Sequence, residues 1–189
     1  MKKILGIISM ALVLVLVTGC SLIPGQKTNA NGKVLEKPAK GNCNVFECIK
    51  KINLTDDLDK VTKVMGFEGN LLNEGSTYKT YKWVINHDKN EAVQVVFYGN
   101  SSSISITFSD EDIKSSKVDF SSYEEIRKDM NDKKTVTYED IKNKFKVDGV
   151  LIEKTSYSSR YRWVNEKGGY INANFNNSTK ACTMIMGRI

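Results

Sequence analysis

The chain of 189 residues is poor in the groups that enzymes commonly work with. It has a single histidine, His87, so any Ser-His-Asp or Cys-His nucleophile would have to be built on that one residue. His87 stands between Asn86 and Asp88 in a turn-forming stretch, where a solvated side chain is expected. No glycine-rich run follows a strand and opens a helix with a lysine, so Gly168-Gly169 is not part of a phosphate loop. The acids Asp56, Asp57 and Asp59, and later Asp110, Glu111 and Asp112, lack the spacing of a calcium hand. They read as a helix N-terminus and a solvated linker. These absences speak against catalysis, and no cofactor or metal is expected.

Proline is scarcer still, and its placement is informative. Both prolines, Pro24 and Pro38, fall before residue 46, in a stretch that also holds Gly25, Gly32, Gly41 and several Asn and Lys. Such a segment buries too little apolar surface to fold and reads as a tether. Ahead of it, Met1-Lys2-Lys3 is a short basic region and Ile4 to Val17 an apolar run. Val17-Thr18-Gly19-Cys20 then places small residues before a cysteine. That is the pattern of a lipoprotein leader, residues 1–19, with Cys20 acylated as the new N-terminus. The apolar run is short for a membrane span. The expected location is the extracytoplasmic face of a membrane, held by lipid at Cys20.

The net charge of +6 is not a property of the folded part. Lys2 and Lys3 leave with the leader; Lys27, Lys33, Lys37 and Lys40 against Glu36 give the tether +3, and the remainder is only +1. A nucleic-acid binder concentrates its positive charge on the domain. Here it sits on the tether, where it suits anionic lipid or wall polymer, so nucleic acid is excluded as a partner.

Of four cysteines, Cys20 is the anchor. Cys43 and Cys48 are close enough to bridge in an exported chain, or stand as two free thiols in a reducing envelope. With no histidine nearby they make a poor metal site. Cys182 lies in a strand-like run and reads as a small buried hydrophobe.

What is present is an internal repeat. Tyr81-Lys82-Trp83-Val84 returns 80 positions later as Tyr161-Arg162-Trp163-Val164, and these hold the only two tryptophans. The same shift carries Thr55 onto Thr135, Leu58 onto Tyr138, Val61 onto Ile141, Met65 onto Phe145 and Gly69 onto Gly149. Two copies of one small folding unit follow.

The first copy, 46–108, opens with Phe46, Ile49 and Ile52 at helical spacing. A second helix starts at Thr55-Asp56-Asp57, with the threonine hydroxyl as N-cap, buries Leu58, Val61, Val64 and Met65, and stops at Gly66. From Gly69 the period becomes two, giving strands at Leu71-Leu72, Tyr78 to Ile85, Ala92 to Tyr98 and Ile104 to Phe108. Turns fall at Gly75-Ser76, Asn86 to Asn90 and Gly99 to Ser102. Residues 109–122 join the copies. The second copy, 123–189, repeats the plan: a helix through Tyr123, Ile126 and Met130, another capped by Thr137 to Asp140, and four strands near 150–152, 157–164, 170–175 and 181–189. The expected fold is α+β, a tandem repeat of helix-loop-helix plus a four-stranded antiparallel sheet. Units this small are marginal alone. Side by side they make one eight-stranded sheet, with helices on one face and the other left open.

Leu58-x-x-Val61-x-x-Val64-Met65-Gly66, Gly69, the Tyr-Lys-Trp-Val tetrapeptide, Asn174-Phe175-Asn176-Asn177 and Met184-Ile185-Met186 resemble a family of Gram-positive surface lipoproteins of uncharacterised function related to the β-lactamase inhibitory protein. The resemblance covers residues 46–189. It implies the αα-ββββ plan twice over. It also implies that a hairpin of the first repeat, here Asn86 to Asn90 with Asp88, can enter a target's active site. In the inhibitor the second repeat adds an aromatic; here Glu166-Lys167-Gly168-Gly169 has none before Tyr170. A single similar unit occurs in the small lipoprotein of the outer-membrane protein assembly machine, whose partners are proteins.

Tyr81 and Trp83 share one side of their strand, as do Tyr161 and Trp163. Alternation leaves open whether that side is core or an exposed platform, and the opposite side, with Tyr78, Thr80, Lys82, Arg160 and Arg162, is the wetter of the two. The expected function is non-enzymatic binding of a protein or envelope ligand by the sheet face or the hairpins. Candidate contacts are Asp88, His87, Tyr78, Lys82, Arg160 and Arg162. The alternatives are inhibition of a β-lactamase or penicillin-binding protein, and an assembly or structural role in the envelope.

Overall fold

The computed structural model describes residues 41–113 and 118–189. The leader 1–19, Cys20 and the tether up to residue 40 lie outside the described residues. Chain order is α1 (Val45–Lys51), α2 (Leu58–Met65), β1 (Asn70–Glu74), β2 (Lys79–Asn86), β3 (Glu91–Tyr98), β4 (Ser101–Thr107), two 3-10 turns (Asp110–Asp112 and Phe120–Ser122), α3 (Tyr123–Asn131), α4 (Tyr138–Phe145), β5 (Val150–Lys154), β6 (Ser158–Val164), β7 (Tyr170–Asn176) and β8 (Cys182–Arg188). The strands form one antiparallel eight-stranded sheet in sequence order, β1 to β8, so every strand but the outermost two has two neighbours.

Registers assign each side chain to a face, because neighbouring residues of a strand point to opposite sides. Trp83 lies opposite Val93, Tyr81 opposite Val95, Val95 opposite Ile104, Trp163 opposite Ile171 and Tyr161 opposite Ala173. These residues pack against the helices in two apolar clusters. One holds Ile49, Val61, Met65, Trp83, Val93, Val95 and Ile104; the other holds Ile126, Ile141, Phe145, Trp163, Ile171, Ala173 and Phe175. Both tryptophans are fully buried under the helices. At about 150–250 Å² each, their burial is worth about 4–6 kcal/mol apiece at ~25 cal/mol per Å².

The tryptophans also fix the backbone around them. Trp83 Nε1 donates to Phe67 O (3.0 Å) and Trp163 Nε1 to Val147 O (3.1 Å). A Cβ on Gly69 or Gly149 would lie 2.5 Å from the matching indole, so only glycine lets the chain pass. β1 bulges at Leu72, between the pairs Leu71–Tyr81 and Asn73–Thr80; β5 bulges at Ile152, between Leu151–Tyr161 and Glu153–Arg160. α2 and α4 have the same length, 80 residues apart.

Several local expectations change. The α2 N-cap is Asp57, whose carboxylate accepts from Lys60 N (2.9 Å), and not the Thr55 hydroxyl. The residues ahead of the helix are drawn into a separate turn instead, in which Asp56 accepts from Asn53 N (2.7 Å). α2 ends at Gly66 in the left-handed region (φ 82°). β4 begins at Ser101, inside the stretch expected to turn, because Ser102 is held as strand: its N–H and hydroxyl both donate to Leu54 O. The described part of the linker is packed in places: Ile113, Val118 and Phe120 are buried, Asp110 and Asp112 are paired with Arg162 and Lys89, and Glu111 is exposed.

Cys43 and Cys48 form a disulfide (S–S 2.03 Å, Cα–Cα 5.5 Å). With Asn42, which donates to Met65 O and Lys63 O, it fastens the start of the described chain across the end of α2. Among the described residues, no helix is long and apolar enough to cross a membrane.

Candidate functional site

The helix-free face of the sheet is built from the alternate residues. The ladder Asn70–Lys82–Gln94–Ser105–Glu153–Arg160–Asn174–Met184 crosses all eight strands as one row. Around it lie Asn73, Thr80, Val96 and Ser103 on one side, and Arg162, Asn172 and Met186 on the other. The surface is thus dominated by amides and hydroxyls. A sheet that buried this face would need polar partners for all of them; among the described residues none of the four α-helices supplies any, and the linker supplies one, Asp110, at Arg162.

Of the six candidate contacts, the face carries four, and they divide. Arg160 donates through Nε to Asn174 Oδ1 (2.7 Å) and pairs with Glu153 (2.9 Å). Arg162 donates to Asn172 Oδ1 (2.8 Å) and to Asp110 Oδ1 (2.8 Å), with its guanidinium over the rings of Phe108 (5.3 Å) and Tyr170 (4.7 Å). These two arginines are committed to the protein itself, and Arg162 ties the linker to the second half. Lys82 has no ion pair among the described residues and is a free cation on this face. Tyr78 stacks against Tyr98 (6.3 Å), and its hydroxyl accepts from Asn73 (3.0 Å). The Tyr98 ring is exposed.

His87 and Asp88 are elsewhere, in the turn between β2 and β3. Asn86 Oδ1 accepts from the backbone of Asp88 (3.1 Å) and Lys89 (3.2 Å), which shapes the turn; Asn90 closes it at φ 54°. Lys89 pairs with Asp112 of the linker (2.5 Å), and that contact raises the lysine pKa. Asp112 Oδ2 is buried with no hydrogen-bond partner. The hairpin is therefore pinned at its flank. The Asp88 carboxylate is exposed, and neither it nor His87 makes a side-chain hydrogen bond among the described residues.

Sequence reasoning missed Tyr98, Met184 and Met186 as exposed apolar side chains on this face. The sequence assigns no residue of β3 or β8 to a side, and the cross-strand register that places these three on this face is a tertiary fact. Cys182 is half-buried; its thiol is pushed up to about 11 by burial. Among the described residues, no group of three or more His, Cys, Asp or Glu is placed to hold a metal ion.

No protein-family model, curated protein or solved structure matches the chain.

Proposed function

We propose that the chain is a non-enzymatic, membrane-anchored cell-surface lipoprotein. Its domain is a tandem αα-ββββ duplication of the β-lactamase-inhibitory-protein kind, and it binds a protein or wall-polymer ligand of the envelope on the open sheet face. The observation that carries this reading is that face. It is eight strands wide, about 34 Å at ~4.8 Å per strand; among the described residues none of the four α-helices covers it, and it is buried only at the end marked by Ala92 and Val164, where Asp110 of the linker bonds Arg162. With strands of five to eight residues it offers several hundred Å², near the ~800 Å² that each partner contributes to a standard protein interface. Its polar middle is flanked by exposed Tyr98 and by Met184 and Met186, residue types that anchor recognition surfaces. The matched bulges, glycines and indole bonds 80 residues apart support the duplication, and the Thr-Gly-Cys20 motif supports the lipid anchor.

A photo-crosslinking residue at Gln94, in the centre of the face, tests the site in living cells. An adduct from Gln94 and none from the helix-side control Asp59 is the expected result. Equal labelling from both, or none from Gln94, removes the face as the binding site.

One observation favours the inhibitory reading as a second: Asp88 stands exposed on a hairpin braced by Asn86 and by the Lys89–Asp112 pair. Titration against class A β-lactamases and penicillin-binding proteins tests it, read by substrate hydrolysis and penicillin acylation. Inhibition abolished by Asp88→Ala supports the reading, and none at micromolar protein rejects it.

A further inference from the structure

The two halves of the sheet meet in a short joint. β4 and β5 pair through only Ile104–Lys154 and Ser105–Glu153, immediately past the bulge at Ile152. β1 has the same bulge at Leu72, followed by Asn73 and Glu74 in the places of Glu153 and Lys154. At the other end, β8 stands to β7 as β4 stands to β3. Val95 and Ala173 occupy matched rungs opposite Tyr81 and Tyr161, and their outer neighbours are Ile104 and Ile185. Met186 therefore takes the place of Ser105. The edge β8 thus stands in the backbone register of β4 and the edge β1 in that of β5, with different side chains.

Among the described residues, the two edges are also incompletely covered. Ile152, in the joint, is 7% exposed, while its counterpart Leu72 is 54% exposed and Leu71 48%. Met186 on β8 is 47% exposed. Bare edges with unpaired backbone groups and apolar side chains are templates for another strand.

We propose that β8 of one chain pairs with β1 of a second copy in the geometry of the internal β4–β5 joint, Ile185 against Glu74 and Met186 against Asn73, continuing the sheet head to tail. The register carries the joint's backbone geometry over and changes its side-chain contact. In the internal joint Lys154 Nζ donates to Ile52 O, at the C-cap of α1. The matching cap of α3 is Asp132, followed by Lys133, which has no ion pair among the described residues. Glu74 of the second copy, paired with Lys79 of its own chain (2.7 Å), comes to that end beside Asp132 and Lys133, so the joint's lysine-to-carbonyl contact has no direct counterpart there. A joint of two residue pairs is weak, and one that pairs unlike edges grows into open chains instead of a closed dimer.

Disulfide trapping tests the register in the full chain, with Cys182→Ser as background. β1 and β8 lie roughly 33 Å apart across the sheet, and a disulfide needs Cα atoms within about 7 Å. A bridge between Asn73→Cys and Met186→Cys must therefore join two molecules. The double variant should give dimers and a ladder of longer chains, a mixture of the two single variants should stop at dimers, and each single variant alone should stay monomeric. Bridging by Asn73→Cys or Met186→Cys alone means two-fold edge pairing and overturns the proposal. So does equal trapping of Asn73→Cys with Ser178→Cys, a loop position outside the joint. A sedimentation mass that stays monomeric up to millimolar protein likewise overturns it.

Discussion

The two halves share a frame and hold it by different means. In the first, a disulfide ties the entering chain to α1, α2 ends on Gly66 in the left-handed region, and Leu58 lines one cleft with Tyr81 and Phe97. In the second there is no disulfide, α4 ends on Lys146 at φ 61°, and Tyr138 takes the place of Leu58. Tyr138 packs on Tyr161 (4.6 Å), Trp163 (5.9 Å) and Phe175 (5.7 Å), and narrows the cleft beside it to about 300 Å³, against about 490 Å³ in the first half. The Tyr138 hydroxyl donates to Asp148 and accepts from Gly149 N, and burial raises its pKa. One half is stapled covalently where the other is filled with rings. A fold of this kind sets a requirement for closure of each helix pair and leaves the chemistry of closure free.

The strongest way to break the comparison is through its shared element. Trp83→Ala and Trp163→Ala should each cost about 3–5 kcal/mol, since each empties a large, fully buried site and orphans a backbone carbonyl. Calorimetry of both variants also shows whether the continuous sheet makes the halves one cooperative unit. A single shifted transition in each case is the expected result, and two separate transitions would show halves that unfold independently. Reducing the Cys43–Cys48 bridge should cost about 2 kcal/mol, the loop-closure entropy of a ring this small. Protection from hydrogen exchange should then fall around α1 and the end of α2, with α3 and α4 unchanged.

The smallest expected effect sharpens the difference at the helix starts. α4 begins with a reciprocal capping box, in which Asp140 N donates to Thr137 Oγ1 while Asp140 Oδ2 accepts from Thr137 N (2.8 Å). Thr137→Ala should cost about 1 kcal/mol at neutral pH. The hydrogen bonds from Thr137 hold the Asp140 carboxyl below its ordinary value. A depressed carboxylate stabilises above its unfolded pKa, and the contribution is lost as pH falls through the folded value. The difference between parent and variant should therefore shrink below about pH 4. Denaturant titrations of both proteins at pH 7 and at pH 3 measure it, and an unchanged gap would discount the carboxylate's part.

Much of this fold was legible because it is local or periodic. The spacing of Leu58, Val61 and Met65 set α2, and the 80-residue shift set α4 and β5 with it. What failed to show depended on distant chain. Ser101 to Ser103 have the composition of a turn, and their pairing with Val96 to Tyr98, with Leu54 O, 48 residues earlier, accepting from Ser102, makes them strand. The linker acids read as solvated because their partners, Lys89 and Arg162, are 23 and 52 residues away. Arg162 was chosen as a contact for a ligand on the strength of its face, and its face is right, but Asp110 and Asn172 already occupy it.

Alternation in β2 and β6 determined that Tyr81 goes with Trp83 and Tyr161 with Trp163, because a strand's period of two follows from backbone geometry alone. Which side of the sheet was dry could not follow from that period, because both sides obey it equally. The helices decided it by packing on the indoles, and in doing so turned outward a face of amides and hydroxyls with Tyr98, Met184 and Met186 exposed on it, between the unlike edges β1 and β8.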